Sequence, residues 1–438
     1  MAIESQITTL SNGLRIVSVP MGGVKSVVVG TWVGVGSSYE TPAQNGITHF
    51  LEHMFFTGTA SRTELQIAKS IESLGGKINA NTGKEHTVYF TKVMDEDFAH
   101  GFNTVADIIR NSQFPPDKLE RERSVVIQEI GQYADEPGEV LSDHFYATCF
   151  AGQPLGRTIL GPAEVIRSLS RQDLFDYVAQ HYTPGNMVVA AAGAVDHNQL
   201  VDLANSAYGD MKYVPQLIRP APARYTGGDV RIQREMEQLQ ICTAFQGVGS
   251  SDRDASAHAV LAQALGGGMS KPLFQKIRSE LGMVYGVGAF SASFRDTGVW
   301  GVQAGLDPVR APEYLDALTE TLRTSIDSVT EEDLQETKKC FKSGTVFGLE
   351  SVYAQASRAA TSLLDRGRVR TLDEALVGIN AVTLADLRRV HAEIFLTKPT
   401  VAAIGNLSHL ESYDKFAARF APVPPVKNAT PTDAPPTP

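Results

Sequence analysis

Three cysteines in 438 residues, at 149, 242 and 340, are too few and too widely spaced for a disulfide framework. No CxxC pair occurs, which also argues against a metal held by thiolates. No apolar run approaches the roughly 18 residues needed to span a bilayer. The best runs, 27–36 and 187–195, have the length of strands. No Lys/Arg run exceeds three, and 39 basic against 49 acidic residues leave a net charge of −10. A nucleic-acid partner is therefore not expected. The first residues place Glu4 early and lack the basic-then-apolar order of an export signal. These absences predict a soluble protein of a reducing compartment, the cytoplasm, with no membrane span. What is present is a 42 % hydrophobic fraction and 38 glycines, enough for a sizeable core.

The chain repeats itself. GVGSS occurs at 34–38 and again at 247–251, an offset of 213. LSRQDLFDYVAQHYTPGNMVVAAAGAV (169–195) matches VTLADLRRVHAEIFLTKPTVAAIGNL (382–407), with Leu174 and Leu387 at the same offset. FPPDKLERERSVV (114–126) parallels VTEEDLQETKKCF (329–341) between them. Three matches in one order imply a duplication. We read a first domain over 1–212, a Pro/Gly-rich linker over 213–229, a homologous domain over 230–420 and a disordered Pro/Thr-rich tail over 421–438. Strand runs at 14–19, 24–35, 86–94 and 187–195 mix with helical patterns at 45–57, 63–74, 96–112, 116–133 and 171–181. That mixture predicts an α+β fold, two α/β-sandwich-like domains, over a doubly wound sheet.

Residues 49–53 read His-Phe-Leu-Glu-His. On a helix, positions i, i+3 and i+4 share a face. His49 and His53 can then present imidazoles to one Zn²⁺ with Glu52 beside it, the inverse of the common HExxH order. A catalytic zinc needs a third protein ligand. Glu129 is the better candidate, because it interrupts the apolar stretch 125–130 of the 116–133 helix. There it is either part of a polar stripe or a buried, compensated carboxylate. Glu122, seven residues earlier, shares its face and could hold a histidine's second nitrogen, or be a plain solvated charge. With such a set, zinc lowers the pKa of water towards ~7. Glu52 then acts as the general base, which is equipment for hydrolysing an amide.

GITHFLEHMFFTGT (46–59), IESLGGKINANTGKEHTVYF (71–90) and ERERSVVIQEI (120–130) together resemble the pitrilysin or insulinase family of zinc metallopeptidases. QPLGRTILGP (153–162) is especially similar to the branch of the processing-peptidase β subunits and their bacterial relatives. The resemblance runs from Leu10 to about Ala421. It implies zinc ligands His49, His53 and Glu129, base Glu52, and one Zn²⁺ per chain. It also implies an edge strand near Asn79 and Ala80 on which substrate lies extended. In the second half, 265–290 resembles the family's Gly-rich segment followed by an Arg and a Tyr. These are Arg278 and Tyr285, which in the family steady the oxyanion and bind substrate. Taken alone, they read as a solvated helix charge and a strand aromatic. At the 213 offset, His49, Glu52 and His53 fall on Ala262, Leu265 and Gly266, so the copy has lost the metal set.

The resemblance further implies that the chain forms half of a clam-shell chamber acting on peptides. A homodimer is expected because this chain keeps both the zinc motif and the Arg/Tyr pair. A heterodimer with a zinc-less relative is the fallback. A non-catalytic core or scaffold subunit of the same fold is the alternative function. A phosphate loop at Gly266–Gly268 is a weaker reading, since the GxxxxGK[ST] spacing is missing.

Overall fold

The computed structural model describes residues 5–214 and 219–420. The expected tail, 421–438, and residues 215–218 of the expected linker lie outside the described residues. The first sheet contains β1 (Gln6–Thr9), β2 (Arg15–Pro20), β3 (Ser26–Val33), β4 (Lys77–Thr82), β5 (Thr87–Met94) and β6 (Met187–Gly193), in the order β1-β2-β6-β3-β5-β4. The second contains β7 (Gly228–Gln233), β8 (Leu239–Gly247), β9 (Val284–Ser293), β10 (Gly298–Leu306) and β11 (Thr400–Gly405), in the order β7-β11-β8-β10-β9. Each sheet has a single parallel pair, β2–β6 and β7–β11; every other neighbour is antiparallel. Without β1 the two orders superpose strand for strand, so the duplication is as plain in topology as in sequence. The fold is α+β with two related sheets.

The helices of the first half are α1 (Ile47–Met54), α2 (Glu64–Glu72), α3 (Phe98–Asn111), α4 (Pro116–Asp135) and α5 (Pro137–Cys149), followed by Ala163–Ser168, Arg171–His181 and His197–Tyr208. Local chemistry explains their starts. Thr63 and Gln66 form a capping box on α2, as Ser170 and Asp173 do on Arg171–His181, and α4 opens on Pro116 at its first position. α3 lays Phe98, Phe102, Val105 and Ile109 on the sheet's inner face, where they join Phe50, Leu51 and Met54 of α1 in the main core. Two elements escape the apolar pattern. β4 reads KINANT with only alternate residues buried, as befits an edge strand. α5 buries only Leu141, Phe145 and Cys149, one residue per turn.

β3 and β6 are buried along nearly their whole length, so both faces of the sheet must be covered. The outer cover comes from the other half. Helix Val352–Arg366 sets Val352, Ala356, Ala359, Ala360 and Leu363 against Val17, Val28, Trp32, Val188 and Ala190. Reciprocally, α5 sets Leu141, Phe145 and Cys149 against Cys242, Ala244, Val299, Ala402 and Ile404 of the second sheet. The two helices start 215 residues apart, so the duplicated halves exchange equivalent helices. Each Val, Leu or Phe buried this way contributes roughly 1.5–3 kcal/mol. Polar ties reinforce the junction. Arg15 Nη1 donates to the Leu363 carbonyl at 2.6 Å, His86 Nε2 lies 2.7 Å from Asp365 Oδ1, and Arg295 Nη1 donates to the Tyr39 hydroxyl at 2.9 Å.

Of the expected linker, 213–214 and 219–227 have no helix or strand, while 228–229 already belong to β7, so the second sheet starts two residues earlier than expected; the stretch before it is fastened down. Tyr225 OH donates to the Ala244 carbonyl at 3.0 Å and the Thr226 amide to the Cys149 carbonyl at 2.8 Å. All three cysteines are free, Cys149 and Cys242 are buried, and burial pushes the Cys149 thiol up to about 12. No helix among the described residues is long and apolar enough to cross a membrane.

Candidate metal centre

α1 is amphipathic in an unusual sense. Ile47, Phe50, Leu51 and Met54 enter the core, while His49, Glu52 and His53 face α4 and β4. α4 runs alongside and brings up Glu129 and Glu122. Glu129 Oε2 lies 3.6 Å from His49 Nε2 and 3.4 Å from His53 Nε2. Glu122 Oε2 lies 3.4 Å from His53 Nδ1, and its other oxygen accepts from Arg121. Ligand atoms of His49, His53 and Glu129 all lie within 4.8 Å of one another.

Four ligands placed tetrahedrally at ~2.0–2.1 Å from zinc stand about 3.4 Å apart. The two carboxylate–imidazole separations are already near that value. The donor set, two imidazole nitrogens and a carboxylate oxygen, is one that zinc takes. Burial, then the neighbouring His53, pushes His49 down to about 4, so its imidazole is neutral and its lone pair free at pH 7. On His53 burial disfavours charge, but Glu129 and Glu122 outweigh it and shift the group up. A hydrogen bond with His53 holds Glu129 below the usual carboxylate range. These residues fit a zinc ion.

Glu52 projects beside this cluster. The Thr82 hydroxyl, at the end of β4, donates to its Oε2 at 2.5 Å and fixes the carboxylate. Burial raises the Glu52 proton affinity, against that hydrogen bond. Both effects suit a group that must take a proton and hold it briefly. The cleft around the cluster encloses about 350 Å³. Its other walls are Lys84, Tyr133, Glu139 and Asp143, and the segment Thr158–Leu160.

Asn79 and Ala80 lie inside β4, not ahead of a strand. Asn79 is exposed, and Ala80 points inward at 8 % exposure. β4 closes one edge of the sheet, so its outer side has no strand partner among the described residues. Within one chain the structure does not bring Arg278 and Tyr285 to the cluster; neither borders the cleft. Arg278 sits in a π-helical turn, Phe274–Glu280, and its Nε donates to the Tyr285 carbonyl at 3.3 Å. Tyr285 is 85 % exposed and borders a second cavity of about 820 Å³ between α5 and the second sheet. Ser142 and Tyr146 of α5 border both cavities.

The second half keeps the scaffold without the chemistry. Ala262, Leu265 and Gly266 lie in the buried helix Ala255–Gly266. A Cβ at Gly266 would run into the Ala289 backbone, so the place of the second histidine is now a close helix–strand contact. Gly266–Gly268 closes that helix at its C-terminus, the negative end of the helix dipole, which overturns the phosphate-loop reading. Sequence reasoning missed Glu139, Asp143, Thr82 and Lys84. Pro137 followed by Glu139 and Asp143, four apart, was the available signal for an acidic helix face.

The profile of the insulinase family (peptidase family M16) matches residues 15–163, and that of the peptidase M16 inactive domain matches 168–340. An uncharacterised zinc protease of Streptomyces coelicolor is 35 % identical over 94 % of this chain and 91 % of its own length. A probable mitochondrial-processing peptidase subunit beta of Arabidopsis thaliana is 34 % identical over 95 % of this chain and 81 % of its own. A crystal structure of a protease from Helicobacter pylori superposes with a TM-score of 0.84 at 22 % identity, over 92 % of this chain and all of that one, and so shares the fold. Identity of this level across nearly the whole length, together with the two family profiles, makes the chain a member of the insulinase-type peptidase family M16.

Proposed function

We propose that the protein is a zinc-dependent endopeptidase, holding one zinc per chain, that hydrolyses unfolded peptides and presequence-like segments. The observation that carries this reading is Glu52 held by Thr82 beside a complete His49–His53–Glu129 donor set. Zinc held there supplies Lewis acidity that brings a water's pKa to about 7 and polarises the scissile carbonyl. Glu122 orients the His53 ring through Nδ1. Glu52 takes the proton of the attacking water as the new C–O bond forms and delivers it to the amine as the C–N bond breaks. The free outer side of β4 pairs with substrate backbone, which gives affinity without a sequence requirement. Glu139 and Asp143 add negative charge to the cleft wall, a use for part of the −10 charge, and favour basic side chains. Three free cysteines fit a reducing compartment such as the cytoplasm.

The test is digestion of a peptide library by the chelator-stripped chain before and after zinc is restored, read by mass spectrometry. Cleavage is expected only with zinc and near basic residues. The double variant Glu139→Gln/Asp143→Asn is expected to lower kcat/KM for basic peptides by about 10-fold or more, with neutral peptides little changed. Equal losses on both classes would remove the charge-selection reading.

We further propose a homodimer in which Arg278 and Tyr285 of one copy complete the cleft of the other, since neither reaches it within its own chain. Mixing and re-annealing inactive Glu52→Gln and Arg278→Ala chains creates one site with both residues intact. Activity is expected to reappear in the mixture; none would exclude action across the dimer.

A further inference from the structure

Glu40 is the most deeply buried carboxylate near the cleft, at 3 % exposure, and no role assigned above uses it. Its Oε1 accepts from the Thr48 amide at 2.9 Å, and its Oε2 from the Gly46 amide and the Asn45 side-chain amide, both at 2.8 Å. α1 needs such a partner. The residue just before it, Gly46 at the N-cap position, has φ 96° and no side chain to cap the helix, and the first amides of a helix have no internal acceptor. A carboxylate at that end also meets the positive end of the helix dipole. Glu40 thus caps, from six residues upstream, the helix that carries His49, Glu52 and His53.

The same carboxylate reaches the opposite wall of the cleft. Asn45 Nδ2, which donates to Glu40, also donates to the Thr158 carbonyl at 2.8 Å. Arg157 donates through Nη1 to the Glu40 main-chain carbonyl, and the Arg157 carbonyl accepts from Lys84 Nζ at 2.8 Å. Thr158, Ile159, Leu160 and Lys84 all line the cleft. This gives the QPLGRTILGP stretch a purpose that zinc ligation leaves unexplained: its central residues form a wall moored to the start of α1.

We propose that Glu40 is a positioning residue for the metal cleft, its carboxylate setting the start of α1 directly and the Arg157–Leu160 wall through Asn45. The proposal rests on the reading of this cleft as a zinc peptidase site. A Gln at 40 would turn an NH₂ group towards at least one of three converging donors, so it keeps the size and loses the hold. Misplacing catalytic groups by even ~1 Å is worth about 100-fold in rate, so small shifts are readable.

The test uses the full-length, zinc-loaded chain, with zinc affinity from chelator competition and kcat and KM on one fluorogenic peptide well below the melting temperature. Glu40→Gln is expected to weaken zinc and to lower kcat, each about 10-fold or more, with KM nearly unchanged. Asn45→Ala leaves the carboxylate on Gly46 and Thr48 but cuts its tie to the wall at Thr158, loosening a wall that Arg157 alone then moors to Glu40. It is expected to keep zinc affinity and lower kcat/KM by roughly 5-fold or more. A folded Glu40→Gln chain with wild-type zinc affinity and kcat overturns the proposal. Should that variant not fold, wild-type kcat/KM in Asn45→Ala overturns it instead. Loss of zinc binding or peptidase activity in the wild type would sink the peptidase reading. The hold on α1 is then decided by amide exchange at Gly46 and Thr48, which Glu40→Gln must accelerate.

Discussion

Glu52→Gln is expected to lower peptide hydrolysis by about 10²–10⁴-fold, the usual worth of a positioned general base, while zinc stays bound. The substitution is nearly isosteric. The Thr82 hydroxyl that now donates to Glu52 Oε2 at 2.5 Å can donate to an amide oxygen instead. What the amide cannot do is accept and carry a proton. His49, His53 and Glu129 are untouched, so metal analysis should return the same zinc per chain as the wild type. Single-turnover kinetics with saturating enzyme would place the loss in the chemical step and not in binding. Undiminished hydrolysis with zinc bound would show that another group moves the proton. Activity and zinc lost together would mean that Glu52 supports the metal. A chain without zinc would instead favour a scaffold role for this fold.

Trp32→Ala is expected to destabilise both halves together, by about 3–5 kcal/mol. Trp32 is 1 % exposed on β3, and its outer-face neighbours include Val352–Arg366 of the second half. Removing the indole opens a cavity at the junction, so the exchanged helix loses its seat as well as the sheet its filler. The protein carries its own reporter, since its only other tryptophan, Trp300, is buried in the core of the second half. In the variant, Trp300 fluorescence reads the second half alone, and far-UV circular dichroism reads the whole. Coincident transitions, both shifted to lower denaturant, are expected. A Trp300 transition left where it stands in a Trp32→Phe control would mean that the halves unfold independently and that the exchanged helices contribute little.

Much of the proximity of His49, His53, Glu129 and Glu122 was legible in the sequence because helical spacing is rigid. Once 49–53 is a helix, i, i+3 and i+4 must share a face. Glu129 and Glu122, two turns apart on α4, must share another. The missing part was everything contributed by segments other than those two helices. Thr82 lies at the end of an edge strand too polar to announce itself. Glu139 and Asp143 lie on a helix with one buried residue per turn. Glu40 sits in a loop where a carboxylate ordinarily meets water. Burial gives Thr82 and Glu40 their roles, and position on the cleft wall gives Glu139 and Asp143 theirs; both depend on what arrives from elsewhere in the chain.

The same division holds for the fold. Length and the 213-residue echo were enough for two related halves, because a duplicated apolar pattern must bury two similar cores. The mostly apolar runs of β3 and β6, with little polar alternation, fit a sheet covered on both faces. Nothing in a run of valines and alanines says what covers them, since hydrophobic burial is non-directional and any apolar face of fitting shape would serve. The folded chain met that need by exchange, each half lending the other its helix. It thereby set α5, with Glu139 and Asp143, between the second sheet and the metal cleft, a placement no local pattern encodes.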